Sequence, residues 1–128
     1  MSEANNPLAW ATRAEEDFIM ARLALRQKPP LSYSACFHAQ QCAEKYLKAL
    51  LVSKGVAFPR THDLLLLQTL CEQASIFVAV NEKDLNTLSD YAVRVRYPGE
   101  DPIPEEAKEA LEIAKATRKF SKQFLGLK

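Results

Sequence analysis

The sequence predicts an all-α fold, an up-and-down bundle of about five helices. Three observations predict it. Apolar residues recur at three- and four-residue steps in five separate segments of the 128-residue chain. Proline or glycine punctuates most of the joins between them. The one short run that could be read as a strand, IFVAV at residues 76–80, has no second strand to pair with. The length fits one domain and supports a core without disulfides or metal. Hydrophobic content of 48% and charged content of 26% are ordinary for a soluble globular protein. The net charge of +1 argues against a strong general attraction to nucleic acid or anionic lipid, but leaves room for a local basic cluster.

The first helix is expected from Pro7 to about Gln27, behind a frayed lead-in over residues 1–6. Proline suits the first helical position, and Asn5 or Asn6 can cap it. Ala11, Ala14, Phe18, Ala21 and Leu25 form its core stripe, with Trp10 closing the end of the core. Glu15, Glu16 and Asp17 near its start and Arg22, Arg26 and Lys28 near its end complement the helix dipole. Pro29 and Pro30 stop it.

The second helix, from Ser32 or Ser34 as cap to about Lys54, is expected to be central. Ala35, Ala39, Cys42, Ala43, Tyr46, Leu47, Leu50 and Leu51 make one broad apolar stripe. Its small first half lets a neighbour approach closely. Gly55 suits the left-handed residue that ends a helix. Thr61 in T-H-D-L caps a third helix, whose leucines (64–67 and 70) bury more than one side, one of them against a second copy of the chain. Residues 75–81 form an apolar turn. A fourth helix runs from about Glu82 to Arg96, capped by Asn81 or Asp84, with the stripe Leu85, Leu88, Ala92 and Val95. R-Y-P-G-E-D-P-I-P follows as a stiff, shaped loop. The last helix opens at Pro104 or Glu105. It shares Ala107, Ala110, Ala114, Thr117, Ser121 and Phe124 on one face, widened by Ile113 and Phe120.

Cys36, Cys42 and Cys71 make an odd count with no CxxC pair, and Cys36 and Cys42 point about 120° apart on a helix. Free buried thiols are expected, with no metal site and no cofactor. No apolar run reaches a membrane span, and the acidic MSEANNPLAW start does not resemble a secretory signal, so a cytoplasmic location without membrane contact is expected.

On the second helix His38, Gln41, Lys45 and Lys48 share a polar face, beside the Glu44–Lys48 pair at i,i+4. This face reads either as solvated or as a phosphate or nucleotide site. In the latter, Lys45, Lys48 and Arg96, with His38 and His62, supply charge and donors to phosphate. Gln41, Arg94 and Tyr97 complete the candidate ligand set. Arg94 and Arg96 meet one ligand only if the helix ends between them, which Pro98 favours. Arg96 can otherwise pair with Glu100 or Asp101, and Tyr91 and Tyr97 are expected half-buried.

W-A-x-x-A-E-E-D-F at residues 10–18, F-H-A-Q-Q-C-A-E-K-Y-L-K-A-L-L at 37–51, T-H-D-L at 61–64, R-Y-P at 96–98 and the Ala-rich last helix together resemble, in order, the HEPN family (higher eukaryotes and prokaryotes nucleotide-binding). The resemblance implies a small helical bundle, commonly a homodimer. It implies a partner with a minimal nucleotidyltransferase domain, as in toxin–antitoxin pairs where the helical chain can be a ribonuclease that AMP attachment silences. Ribonuclease members carry an Arg followed, after four to six residues, by a His. Neither His38 nor His62 has such an Arg before it, and no His follows Arg94 or Arg96. The reading is therefore a nucleotide- or nucleic-acid-binding HEPN-like module paired with a nucleotidyltransferase. Its alternatives are a metal-free ribonuclease toxin with a displaced histidine, for which His62 and Arg96 are the catalytic candidates, and a purely structural dimer.

Overall fold

The computed structural model describes residues 2–94 and 98–128; at 92–94 it describes the helix without the side chains. Five α-helices follow a short 3-10 turn over Glu3–Asn5: α1 (Pro7–Arg26), α2 (Ser32–Ser53), α3 (Leu64–Gln73), α4 (Glu82–Arg94) and α5 (Pro104–Leu125). The predicted all-α bundle is the observed one. Residues 75–81 form no strand; Ile76 and Val78 turn inward while Phe77 stays exposed.

Helix α2 is the axis of the bundle and touches each of the other four helices. All eight residues of its apolar stripe are buried. Facing it, α1 buries Ala11, Ala14, Phe18 and Ala21, with Leu25 packed half-buried at the margin. Small residues on both sides bring the two helices close, since interaxial distance follows side-chain size. Contacts run Trp10 to Lys48, Glu15 to Tyr46 and Asp17 to His38. Position falls on one helix as it rises on the other, so the pair is antiparallel. Helix α5 closes the other side through Ala107, Ala110, Ile113, Ala114, Thr117 and Ser121. Phe124 is instead 41% exposed, stacked on Phe120.

Several ends depart from expectation for local reasons. From Ser2 the lead-in is ordered: Ser2 caps the 3-10 turn, and the Trp10 indole N–H donates to the Ala4 carbonyl at 3.0 Å. Asn6 caps α1 as expected. Neither Ser32 nor Ser34 caps α2, because the chain turns so tightly that Leu31 takes the cap position, its N–H donating to Ala24 O at 2.9 Å. Asp63, not Thr61, caps α3 by accepting from Leu65 N and Leu66 N; Thr61 accepts from Asp63 N one step earlier. Asn81 accepts from Lys83 N at the start of α4. Gly55 takes φ +68°, and Val56 N donates to Leu51 O, closing α2 with a left-handed residue. The Ala92 side chain, Val95, Arg96 and Tyr97 lie outside what is described; Tyr91 is fully buried rather than half-buried.

The acidic residues of α1 do not serve its dipole. Glu15 and Asp17 lie two turns or more beyond Pro7, where that effect has faded. Glu15 holds α1, α2 and α5 together. It takes a bidentate pair from Arg118 (2.6–3.1 Å) and a hydrogen bond from the Tyr46 hydroxyl. The Arg118 guanidinium also lies 4.4 Å from the Phe18 ring centroid. Cys36, Cys42 and Cys71 are buried and in no disulfide; burial pushes the Cys42 and Cys71 thiols up, Cys71 to about 12.

The Arg118 hydrogen bonds, working against burial, hold Glu15 down from 4.5 to about 2. A depressed carboxylate contributes stability above its unfolded pKa and loses it as pH falls through the folded value. The thermal midpoint should therefore fall between pH 4.5 and about 2. Glu15→Gln should remove part of that slope while lowering the midpoint at neutral pH, as melting curves across this range would show.

Candidate functional site

The polar face of α2 carries two ion clusters, one on each flank. On the α1 side, Asp17 accepts from His38 Nδ1 at 2.8 Å and from Lys45 Nζ at 2.6 Å. The edge of Phe37 meets the His38 ring at 5.2 Å. On the other side, Glu44 accepts from His62 Nδ1 at 2.7 Å and from Lys48 Nζ at 2.8 Å. Each carboxylate thus holds one histidine and one lysine.

Glu44 is the more deeply buried, its side chain 4% exposed and that of Lys48 9% exposed. The i,i+4 pair is therefore an interior one. Gln40 secures it, donating from Nε2 to Glu44 Oε1 and to the His62 carbonyl, both at 3.2 Å. Gln41 donates to Gln40 in turn. Ser89 of α4 also donates to the His62 carbonyl and accepts from Leu64 N, so the T-H-D-L turn is pinned from two helices. Burial raises the pKa of Glu44, but the hydrogen bonds from Lys48 and His62 outweigh it and leave the carboxyl below its usual value. An ionised carboxylate only accepts, so Nδ1 of each histidine carries the proton and Nε2 is turned away from the acid. The His62 side chain is 57% exposed, which opens its Nε2 to solvent.

Beside the Glu44 cluster lies an open cavity of about 670 Å³, within the range that small-molecule sites occupy. Trp10, Phe58, Lys48 and Arg60 line it, with Val52 and Val56 as floor. Trp10 and Phe58 meet edge to face at 6.0 Å, and Lys48 Nζ lies 5.6 Å from each ring. A smaller cavity of about 270 Å³ on the other side of Trp10 is lined by Arg13 and Lys45. The arrangement offers aromatic surface to a planar group and cations to an anion. Among the described residues no group of three or more His, Cys, Asp or Glu could hold a metal ion, and no helix is long and apolar enough to cross a membrane.

The chain matches the HEPN domain model over residues 8–124. It belongs to the HEPN domain family. It is similar to MJ1304 of Methanocaldococcus jannaschii, a protein named as a suspected toxin, at 31% identity over 88% of this chain and 84% of that protein. It is also similar to the crystal structure of TT1696 from Thermus thermophilus, with a TM-score of 0.74 and 28% identity over 93% of this chain and 98% of that one.

Of the residues singled out from sequence, the HEPN bundle joins His38 to Lys45 and Lys48 to His62, and places Gln41 between them. Lys45 and Lys48 belong to different clusters, each already facing a carboxylate, rather than to one free cationic patch. His62 reaches the middle of α2 rather than the end of the helix before it. The side chains of Arg94, Arg96 and Tyr97 lie outside the described residues. Sequence reading missed Asp17, Trp10, Phe58 and Arg60. A signal for Asp17 was present: it falls three positions after Ala14 and four before Ala21, on the face that those residues bury.

Glu44→Ala should leave Lys48 buried without its partner and destabilise the protein by about 3 kcal/mol, read from urea unfolding. His62→Ala, which removes an exposed partner, should cost well under half of that.

Proposed function

We propose that this protein is the nucleotide- or nucleic-acid-binding HEPN half of a toxin–antitoxin-like pair, acting as a homodimer with a nucleotidyltransferase-domain protein. The observation that carries the reading is the cavity around Trp10. Phe58 and Trp10 supply a surface for a base, while Arg60 supplies donors to phosphate at its rim and Lys48 lies behind it, paired with Glu44. Lys45 and Arg13 line the smaller cavity on the far side of Trp10 with Glu3, Lys45 paired with Asp17 and Arg13 with Glu3. His38, Gln41, Arg94, Arg96 and Tyr97 remain part of the proposed ligand set. The similarity to a suspected toxin supports the pairing.

The buried Lys48–Glu44 pair decides how this is tested. Reversing Lys48 would bury two carboxylates together and unfold the site. Arg60 is exposed, so Arg60→Glu tests the cavity without that risk. It should weaken binding of a fluorescent adenine nucleotide at least about tenfold with no change in melting temperature. Unchanged affinity would remove the cavity from the site. Co-purification with the product of a neighbouring nucleotidyltransferase gene, followed by mass spectrometry of both chains, tests the pairing through a stable complex or an added AMP.

One observation favours the second reading, a metal-free ribonuclease. Glu44 orients His62 so that Nε2 faces solvent, which is the posture of a general base for a 2′-hydroxyl. That reading predicts RNA cleavage by the purified protein that His62→Ala abolishes and His38→Ala leaves intact. Absence of cleavage by the wild-type protein would eliminate it.

A further inference from the structure

A second charged surface lies on the far side of α1 from the Asp17 cluster. Arg22 and Arg26 sit about 140° and 180° around α1 from Asp17. They share a groove with Lys115 of α5. Lys115 also lines a neighbouring groove of about 520 Å³ with Lys119, Lys122 and Lys128. The two grooves therefore form one track. Between Lys115 and Lys128 the sequence has no Asp or Glu at all, and the one carboxylate of the track, Glu112, meets Lys115 at 3.6 Å with both side chains largely exposed. Such a pair leaves the lysine available. Because the whole chain carries only +1, the rest of the molecule is net negative and the positive charge is concentrated here.

Complementing the helix dipole does not account for the track. That effect falls off within the last turn, which holds Lys122 but not Lys115 or Lys119. Those three side chains fall within about 60° of one another on α5, stepping about 6 and 4.5 Å along it. The floor is fixed, because Arg118 is held by Glu15 and by the Phe18 ring. The track has apolar residues in its lining but no projecting apolar anchor. Leu25, Leu111, Ala116 and Leu127 line it, the three leucines half-buried against the core, and none of the large exposed apolar side chains among the described residues does. Phe124 lies about 180° around α5 from Lys115. A protein partner would require a buried anchor at the centre of its footprint, and a stacked single strand would require aromatic rings. A phosphodiester backbone requires neither, only cations in a row.

We propose that the α1–α5 track is a docking surface for a nucleic-acid backbone, read by charge and not by base. It is separate from the Trp10 cavity and does not depend on what that cavity binds. The test is fluorescence anisotropy with a short labelled RNA duplex and a short labelled oligouridine, titrated at several salt concentrations. If all six cations engage, log affinity for the single strand should fall with log salt at a slope of about −4. Lys115→Glu/Lys119→Glu/Lys122→Glu should weaken both probes at least about tenfold and reduce that slope by about 2. The Lys→Gln triple variant should weaken them less, and melting curves should show both variants folded. Lys83→Glu, at an exposed lysine of α4 that lines neither groove, should leave this binding intact. The proposal is overturned if the wild-type protein binds neither probe, or if the triple variants bind as well as wild type. It is equally overturned if polyglutamate or phosphatidylserine vesicles are bound where nucleic acid is not.

Discussion

The close approach of α1 to α2 is the constraint on which the rest of this structure depends. Ala11, Ala14 and Ala21 meet Ala35, Ala39, Cys42 and Ala43, all of them buried. With so little side-chain volume between the axes, the polar residues on the margins of the seam face one another at hydrogen-bond range. A carboxylate as short as Asp17 can then reach across to both His38 and Lys45. Glu15, on the opposite margin, reaches Tyr46 and the α5 guanidinium. Larger residues in the seam would separate the helices and break both margins at once. Apolar packing therefore sets the electrostatics, and not the reverse.

That order explains how the bundle manages its charge. A lysine 9% exposed and a glutamate 4% exposed would each be costly alone. Together, with Gln40 and His62 filling the remaining lone pairs of Glu44, they form a satisfied network that holds the α3 turn against α2. The same network limits what the site can do. The lysines are committed to carboxylates, so a phosphate reaching α2 meets cations whose charge is already offset. Net donor capacity lies at the edge of the cavity, in Arg60, while the outward Nε2 of each histidine offers a lone pair.

The bundle itself was legible because periodicity is local information. Each α2 residue placed on the apolar stripe is buried, and Asn6, Gly55 and Asn81 act at the ends where composition put them. What was illegible depends on residues far apart in the chain. Asp17 meets His38 across 21 positions and Glu15 meets Arg118 across 103, so both acids read as contributions to the dipole of α1. The Glu44–Lys48 pairing was legible from spacing; its burial was not, since that depends on Trp10 and Phe58 folding over it. Asp63 displaced Thr61 as cap because the chain arrives at α3 through a turn that Thr61 is occupied in holding.

Function divides along the same line. The family was readable from ordered motifs, most of them packing signatures of the bundle. The cavity was not, because its aromatic pair joins the first turn of α1 to the connection after α2, and neither Trp10 nor Phe58 carries a chemical signal by itself. The basic residues of α5 present the opposite case. They are visible in the sequence as a helix end rich in lysine, which a dipole argument absorbs. Only the packing of α5 beside Arg22 and Arg26 shows that the charge continues onto a second helix, beyond the reach of any one helix terminus. Within a molecule of nearly balanced charge, such a concentration persists under selection for folding alone only if it costs nothing. Like charges at i,i+4 on one exposed helix face are unfavourable, so the Lys115–Lys119 and Arg22–Arg26 pairs weigh against stability. A function that uses the charge offsets that cost; folding by itself does not.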